Sequence, residues 1–409
     1  MRTGGRDEAP ASRAGHAWLA GGNGPGILFR AFTFGVVRSE LLESTDVFVI
    51  GGGPAGLAAA IAVRQQGFEV AVADGAEPPI DKACGEGLMP DGIAALQRLG
   101  VTLAPQHTQP FSGIRFLAWG LSVDAPFPNS ASGLGVRRTT LHDTLTERAA
   151  SLGIDLLWRT AVTAISNDAV HLGRTKIRAR WIIGADGGNS RVRRWAGLGS
   201  HRRRNCRYAF RQHYRVTPWT DRMEIHWGPS AQMYVAAVTG EDMCVALVSH
   251  DQRLRLDEAL RGFPELRARL ADAPITSAEK GAITTTCTLK RVCRGNVALI
   301  GDASGTVDAI TGEGLCLSFS QALVLADCLR SGNLSRYQQE HRRLALRPQL
   351  MAHLMLTLDR RPRLQRRTLQ VFHRRPEIFR RLLALHVGAV SPMHLALDGL
   401  TLGWGLLTA

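Results

Sequence analysis

The chain has 409 residues, of which 45% are hydrophobic and 21% are charged. This length exceeds one ordinary domain and the apolar share allows a large core, which excludes a disordered chain. The formal charge of +15 comes almost wholly from arginine, because only four of the 50 basic residues are lysines. No RNA-binding signature or platform of aromatic and basic residues accompanies the charge, so we expect no nucleic-acid partner.

The seven cysteines have neither the paired spacing of metal ligands nor the pattern of a disulfide framework. We therefore expect reduced thiols, no metal site and a cytoplasmic location. No stretch of about 20 uninterrupted apolar residues is present, so the sequence predicts no transmembrane helix. Residues 1–42 are rich in Gly, Ala and Arg without a clear period, and we expect this extension to be disordered.

The first motif lies at residues 46–66 and predicts a strand, a tight turn and a helix. The apolar run Asp46–Ile50 is followed by Gly-Gly-Gly-Pro-Ala-Gly and an alanine-rich segment. This is the GxGxxG pattern in the context that a dinucleotide-binding unit requires. Asp74 ends the next strand, about where an acid that binds the adenosine ribose belongs. The predicted cofactor-binding residues of this unit are Gly51, Gly53, Pro54, Ala55, Gly56 and Asp74.

Two further segments are predicted to form a separate antiparallel sheet, residues 113–127 and residues 223–249. Within the second, the Gly240-Glu241-Asp242 turn joins two apolar runs into a hairpin. Side chains alternate between the two faces of a strand, so His226 and Trp227 point in opposite directions and at most one of them faces a shared site.

Two more glycine-bearing motifs follow the first. One is Gly184-Ala-Asp-Gly-Gly-Asn-Ser-Arg-Val-Arg193, and the other is Gly301-Asp-Ala-Ser-Gly-Thr-Val-Asp-Ala-Ile-Thr-Gly-Glu-Gly314, which comes after the apolar run 297–300. An Asp-Gly pair alone is an ordinary turn. All three motifs together, in this order, indicate a dinucleotide enclosed by separate parts of the chain.

These motifs resemble the fingerprints of the p-hydroxybenzoate hydroxylase superfamily, and the third most closely resembles its geranylgeranyl reductase-like branch. The resemblance implies FAD, with Asp302 at the ribityl chain and a helix N-terminus at the pyrimidine edge of the flavin. The sequence departs from many members in one place, because Ala309 or Ile310 stands near the position of a loop proline. The cofactor-binding residues implied here are Asp186, Gly187, Gly301, Asp302, Gly312, Glu313 and Gly314.

The stretch 81–90 is similar to the Lys-x-Cys-Gly segment of reductases in this branch, which places it against the flavin. The resemblance assigns Lys82 and Gly85 to the cofactor site and makes Cys84 and Glu86 candidate catalytic residues by position. No second cysteine follows at the spacing of a flavin disulfide reductase, so for Cys84 we favour a small residue packed near the ring over direct catalysis. Arg138 matches an arginine that begins a helix and contacts the cofactor.

The predicted fold class is α/β, with a Rossmann-like FAD-binding domain of the p-hydroxybenzoate hydroxylase and glutathione reductase type. An antiparallel β-sheet substrate domain and a C-terminal helical region complete it. The FAD-binding domain is predicted at 43–84, 136–197 and 286–335, the substrate domain at 85–135 and 198–285, and the helical region at 336–409. In the superfamily this sheet forms the substrate pocket, so the candidate substrate residues are His213, His226, Trp227 and Tyr234.

The C-terminal region carries most of the excess charge. Twelve arginines lie between Arg342 and Arg381, interleaved with leucines and other apolar residues. Solvated helix faces are one interpretation, and a peripheral contact with an anionic membrane is a separate hypothesis. The sequence gives no indication of the oligomeric state.

The resemblance favours an FAD-dependent oxidoreductase that reduces a carbon–carbon double bond of an apolar, isoprenoid- or polyketide-like small molecule. With no second GxGxxG motif, NAD(P)H is expected to bind transiently as electron donor. The alternative is an NAD(P)H-dependent FAD monooxygenase that hydroxylates its substrate through a flavin hydroperoxide. An alternative of another class is a non-catalytic prenyl- or lipid-binding protein of the same fold.

Overall fold

The computed structural model describes residues 42–390, except residues 200 and 229 and the side chains of residues 201–204. The predicted disorder of residues 1–42 therefore falls outside the described residues, apart from Leu42. The same holds for residues 391–409 of the predicted helical region. Among the helices described, none has the length and apolar character needed to cross a bilayer.

The helices, numbered in chain order, include two long ones near the end of the described chain. They are α1 Pro54–Gln65, α2 Pro90–Arg98, α3 Arg138–Ser151, α4 Arg191–Trp195, α5 Leu256–Ala259, α6 Pro264–Leu270, α7 Gly314–Arg330, α8 Leu334–Asp359, α9 Pro362–Arg374 and α10 Pro376–His386. Short 3-10 turns include Gly301–Ser304 and Ala309–Thr311.

The strands are numbered in the same way. They are β1 Ser44–Ile50, β2 Val70–Ala73, β3 Gly87–Leu88, β4 Thr108–Phe111, β5 Gly113–Ala118, β6 Leu121–Pro126, β7 Gly133–Val136, β8 Asp155–Leu157, β9 Ala164–Ile165, β10 Ala169–Leu172, β11 Thr175–Gly184, β12 His201–Arg215, β13 Met223–Trp227, β14 Ala231–Ala237, β15 Asp242–Ser249, β16 Lys280–Leu289, β17 Cys293–Arg294 and β18 Val297–Leu299.

The first sheet carries the dinucleotide-binding unit. Its order is β17-β18-β11-β1-β2-β8, and β1 pairs in parallel with both β2 and β11. Residues 47–50 of β1 are buried whichever face they occupy, as expected for a strand covered by helices on both sides. Helix α1 packs against α3 and α7, and its residues 56–63 are fully or almost fully buried.

The predicted domain boundaries differ from the packing in two places. Leu88, Leu96 and Leu99, predicted within the substrate domain, belong to the core that α1 and α7 form, because the apolar face of α2 packs on α7. Strand β16 continues to Leu289, past the predicted boundary at residue 285, and it pairs with β12 in the second sheet.

The second sheet has the order β16-β12-β15-β14-β13-β5-β6. The predicted hairpin is present as β14 and β15, with Val238 N–H donating to the carbonyl of Asp242 across the turn. The sheet is antiparallel except where β13 and β5 run in parallel. A third, small sheet has the order β3-β7-β4.

The C-terminal helices cover one face of the second sheet. Leu369, Phe372 and Phe379 of α9 and α10 share a core with apolar residues of β5, β6 and β13. On the opposite face, Leu256 and Leu266 of α5 and α6 pack against β14 and β15. The sheet is therefore buried on both faces, and its two faces have different neighbours.

A buried ion pair joins β12 to the loop that precedes α7. Arg207 donates to the carboxylate of Asp308, and both side chains are almost completely buried. The same carboxylate accepts a hydrogen bond from Ile310 N–H at 3.1 Å, which caps the turn Ala309–Thr311. The arginine therefore fixes the loop between Asp308 and α7.

Arg207→Ala is expected to destabilise the protein strongly, because Asp308 would keep a buried charge without its partner. Breaking such a pair costs about 3–5 kcal/mol. Urea denaturation measures the loss, and Arg207→Met combined with Asp308→Leu is expected to recover most of it. The exposed Arg366→Ala is the control and should change the free energy of unfolding by at most about 0.5 kcal/mol. A single variant as stable as the control would contradict the prediction.

Candidate active site

The turn between β1 and α1 is built from glycines that serve different purposes. A Cβ on Gly51 or on Gly56 would overlap backbone atoms of Ala185 or of Gly51, and Gly51 has a φ of +110°. A Cβ on Gly53 would meet nothing within 4 Å. The first two glycines are required by packing, and Gly53 leaves open space at the start of α1. Pro54 is the first residue of the helix and Ala55 follows it.

The residues around this turn are polar and in part unpaired. Asp74 accepts hydrogen bonds from Gly52 N–H at 2.7 Å and from Ala76 N–H at 2.8 Å. His142 lies 2.9 Å from the Gly52 carbonyl oxygen, and burial lowers the pKa of this histidine. Arg138 has a buried Nε without a hydrogen-bond partner among the described residues.

The second motif stabilises its own loop. Asp186 accepts hydrogen bonds from the Ser190 hydroxyl at 2.5 Å and from the backbone of Arg191 and Val192 at 2.6 and 3.1 Å. Its carboxylate therefore holds the start of α4. A Cβ at Gly187 would meet nothing within 4 Å. The backbone of Gly187, rather than the Asp186 side chain, is therefore accessible to a ligand.

Side chains from the 81–90 segment and from α7 and α8 hold the third motif. Lys82 donates to Asp302 at 2.8 Å, and both side chains remain partly exposed. The backbone N–H of Gly301 donates to Gln321 of α7 at 2.9 Å. His341 of α8 lies 2.9 Å from the Ser304 hydroxyl, and burial lowers its pKa to about 4, so it is neutral at ordinary pH. Both long helices thus hold this motif.

The loop ends at the N-terminus of α7. Gly312 has a φ of +68°, and a Cβ at Gly314 would meet open space. The Glu313 side chain does not cap the helix and lies instead towards α8 and α10. Of the predicted cofactor residues in this loop, Glu313 can therefore offer the cofactor only its backbone.

Three residues with different predicted roles lie together. They are the catalytic candidate Glu86, the cofactor residue Arg138 and the substrate residue His213. Glu86 accepts a hydrogen bond from Arg138 N–H at 3.0 Å with one carboxylate oxygen. Its other oxygen lies 2.5 Å from His213 Nε2. Cys84, half-buried, accepts from the Glu86 N–H at 3.4 Å, and Gly85 lies between them. Glu86 therefore links the cofactor segment at Arg138 to strand β12.

The hydrogen bonds of His213 define its tautomer. Arg211 NH1 lies 3.2 Å from His213 Nδ1, and an arginine can only donate. Nδ1 is therefore the acceptor, and Nε2 carries the proton that is donated to Glu86. Possible ligand atoms of Glu86, His213 and Cys244 lie within 4.8 Å of one another. Burial raises the pKa of the Cys244 thiol well above its ordinary value, which favours a hydrogen-bonded cluster without a thiolate.

A cavity that is partly open to solvent lies between the second sheet, the loop before α7 and the C-terminal helices, and it contains about 680 Å³ of empty space when its open mouth is included. Its walls are almost entirely apolar, and Gly312 forms part of them. The lining residues are Met89, Ile114, Phe116, Met223, Ile225, Trp227, Tyr234, Ile310, Thr311, Gly312, Met351, Leu354, Met355, Leu358, Phe372, Phe379, Leu382, Leu383 and His386.

The predicted substrate residues divide between this cavity and other places. Trp227 and Tyr234 line the cavity. His226 lies on the opposite face of β13, where it is 3.1 Å from Glu224 and packs edge-on against Phe263. His213 lies in the Glu86 cluster. The alternation along β13 thus separates Trp227 from His226, as the sequence analysis expected.

Several site residues were not in the sequence-based prediction. His386 lines the cavity from α10, Arg347 of α8 lies between Asp91 and Glu313, and Arg207 holds Asp308. Arg207 and Arg211 are buried and lie four residues apart on β12. Side chains alternate along a strand, so this spacing is a weak indication that both lie on one buried face. In the sequence, His386 is one polar residue within an apolar stretch, and Arg347 is one of many arginines. Neither pattern indicates a site residue.

This arrangement fits FAD. Gly53 leaves room for a pyrophosphate at the start of α1, where free N–H groups of a helix favour an anion. The unpartnered Arg138 Nε supplies a further donor, and Asp74 lies at the carboxyl end of β2 for ribose hydroxyls. Gly312, two residues before the start of α7, lines the apolar cavity, and Asp302 of the same motif pairs with Lys82.

Comparison with known proteins agrees with these features. The family model described as an FAD binding domain matches residues 44–344. A menaquinone reductase of Mycolicibacterium smegmatis is 29% identical over 351 residues, which cover 77% of this chain and 85% of the relative. A digeranylgeranylglycerophospholipid reductase of Methanocella arvoryzae is 26% identical over 331 residues, which cover 73% of this chain and 82% of the relative.

Among solved structures, a flavin-dependent brominase has a similar fold. The TM-score is 0.73 at 17% sequence identity, over 84% of this chain and 94% of the brominase chain. At this identity the likeness concerns the fold, and it extends through the second sheet as well as the dinucleotide-binding unit.

Arg138→Gln is expected to weaken FAD binding about tenfold to a hundredfold, because a hydrogen bond to a charged group contributes about 1.5–3 kcal/mol. Titration calorimetry of FAD into the stripped protein measures the dissociation constant. The matched control is Arg178→Gln, at an exposed position of β11. Equal affinity of Arg138→Gln and wild type would show that Arg138 does not hold the cofactor.

The family match covers more than half of the chain, and the fold and the three glycine-bearing loops agree with it. The resemblance that the motifs indicated is therefore confirmed. The chain belongs to the FAD-binding domain family and is an FAD-dependent oxidoreductase of the p-hydroxybenzoate hydroxylase superfamily, similar to its geranylgeranyl reductase-like branch.

Proposed function

We propose that this flavoprotein reduces a carbon–carbon double bond in an apolar isoprenoid molecule. The observation that carries the proposal is the cavity, which has an apolar wall and borders Gly312 at the end of the third motif. Aliphatic and aromatic side chains line it almost throughout, as is common in small-molecule sites. The place where the cofactor ends is thus the place where an apolar ligand would be bound.

The chemistry of the wall favours a hydrocarbon chain over a polar substrate. A polar group placed there would lose its hydrogen bonds to water, whereas each buried CH₂ gains about 0.8 kcal/mol. Relatives named as reductases of menaquinone and of digeranylgeranylglycerophospholipid support an isoprenoid substrate and a reductive reaction.

When bound, FAD supplies the electron pair for the reduction. The residues of this chain orient the reactants and exclude water. The α7 N-terminus favours negative charge at its end of the site, and Lys82 and Asp302 border the side open to solvent. Because the described chain has one dinucleotide-binding turn, NAD(P)H is proposed to bind transiently as the electron donor.

Anaerobic incubation of the reduced holoenzyme with a menaquinone that bears a short isoprenoid chain tests the reaction. We expect a product that gains two hydrogen atoms in the chain, detected by mass spectrometry. Leu354→Trp, which fills the cavity, should lose this product while it keeps FAD. The control Gln349→Trp, exposed on the same helix, should retain it.

A product that instead gains one oxygen atom, and only in air, would establish the monooxygenase alternative. The same incubation is repeated with a geranylgeranyl lipid. If an enzyme that is fully loaded with reducible FAD leaves both molecules unchanged, the proposal of an isoprenoid substrate is overturned.

We also propose that the C-terminal helices contact an anionic membrane surface. Helix α8 exposes Leu346 and Leu350, which are 64% and 47% exposed and lie one turn apart. Arg342 and Arg343 are exposed one turn before them, and α9 exposes further arginines. The same helix lines the cavity further along, so this contact would place the cavity near its apolar ligand.

Sedimentation with vesicles tests this contact. We expect more binding to vesicles that contain phosphatidylglycerol than to phosphatidylcholine alone, and a loss of binding with added salt. Leu350→Glu should reduce the bound fraction, because it removes apolar surface and adds repulsion. The control is Ile283→Glu on β16, another exposed apolar residue. Equal sedimentation with both kinds of vesicle would contradict the proposal.

A further inference from the structure

One end of the apolar cavity contains a buried polar cluster. Glu313, which is 2% exposed, lies between Gly312 and Gly314. Its Oε2 is 3.6 Å from Nδ1 of His386, and neither atom has a hydrogen-bond partner among the described residues. The other carboxylate oxygen lies 3.6 Å from Arg347 NH2, which donates to Asp91 at 2.7 Å. The cluster thus runs from the cavity wall to a partly exposed ion pair.

Reduction of a carbon–carbon double bond needs a proton as well as an electron pair. The described cavity wall has two titratable side chains, Tyr234 and His386. The Tyr234 hydroxyl is already bonded to Gln232 at 3.0 Å and to the Ile310 carbonyl at 3.1 Å, and burial raises its pKa far above its ordinary value. His386 has an unpartnered Nδ1 that faces Glu313, so its ring can pass a proton from the buried cluster to the cavity.

The charges around Glu313 determine where that proton lies. Burial raises the pKa of Glu313 to about 8, and the nearby Asp91 adds to this effect while Arg347 opposes it. Burial and the charge of Arg347 lower the pKa of His386 to about 4, and a hydrogen bond of the ring to the Thr311 backbone opposes this effect. Cys316 also faces the cluster, and burial keeps its thiol protonated. At neutral pH the pair therefore consists of a protonated carboxyl beside a neutral imidazole.

We infer that Glu313 and His386 form a relay that delivers a proton to the double bond of the substrate in the cavity. The inference rests on the proposed function. The imidazole accepts the Glu313 proton at Nδ1 and releases its Nε2 proton to one carbon. The π bond would break as this carbon is protonated, and the reduced cofactor, when bound, would supply the electron pair and hydrogen for the other carbon. Glu313 is left as a carboxylate beside Arg347, and the imidazole carries its proton on Nδ1. Return of this proton to Glu313 and uptake of a proton from water at Nε2 restore both groups.

Glu313 acts through His386 and is a positioning and relay residue. His386 lines the cavity and would be the catalytic acid. The arrangement explains why Glu313 Oε2 is buried without a hydrogen-bond partner next to the loop that ends at α7. Buried polar atoms without partners are rare in folded proteins, so Glu313 Oε2 and His386 Nδ1, which face each other without other partners, call for a functional reason.

Infrared spectroscopy of the protein stripped of FAD tests the charge state without any turnover. We expect the band of a buried, protonated carboxyl at neutral pH, which is lost as the pH rises through about 8. Glu313→Gln should abolish this band. Glu377→Gln, an exposed position at the start of α10, should leave it unchanged. A spectrum identical in Glu313→Gln and wild type overturns the inference.

Turnover of the holoenzyme tests the relay. Glu313→Gln and His386→Gln should each lower the rate of double-bond reduction about 10²–10⁴-fold, the usual contribution of a general acid. The wild-type rate should fall as the pH rises through about 8, where Glu313 loses its proton, and this decrease should be absent in Glu313→Gln. Glu313→Gln and His386→Gln should contain as much FAD as wild type, and dithionite should reduce it equally well. The control Glu377→Gln should have wild-type activity.

The two proposals fail in different ways. A wild type that reduces no isoprenoid double bond overturns the proposed function. An active wild type with a fully active Glu313→Gln leaves that function in place and overturns the relay. Variants that lose FAD or unfold together with activity also overturn it, because they show a structural role.

Discussion

The buried ion pair between Arg207 and Asp308 is the interaction on which the site depends. It joins a strand of the second sheet to the loop that leads into α7, and that loop borders both the cofactor end and the cavity. Two charges removed from water must compensate each other, so the loop has one position relative to the sheet. The Tyr234 hydroxyl, bonded to the Ile310 carbonyl, reinforces this position from the neighbouring strand β14.

A second connection holds the other side of the site. Glu86 binds the backbone at the start of α3 and the ring of His213 on β12. The dinucleotide-binding unit and the sheet that carries the cavity are therefore joined by polar contacts on two sides. These connections fix the place where the cofactor would lie relative to the cavity.

Features that depend on short segments of the chain could be predicted from the sequence. Glycine spacing between an apolar strand and an alanine-rich helix reflects local backbone requirements, so the three motifs and the β14–β15 hairpin could be recognised directly. The contacts of Glu86 with His213 and of Glu313 with His386 depend on packing between segments that are far apart in the chain. Residue type and alternation could not predict them. Alternation separated His226 from Trp227 but could not show which of the two faces the cavity.

Helix α8 combines two tasks in one rigid element. Its first half holds the third motif, where the Tyr337 hydroxyl donates to the Leu299 carbonyl and His341 lies beside Ser304. Its second half supplies Met351 and Leu354 to the cavity. Since each residue of an α-helix turns the following ones by about 100°, an insertion or deletion of one residue between these halves would rotate the cavity wall away from its ligand. Substitutions in the second half can therefore change which ligand is accepted, whereas the spacing along this helix has to stay constant.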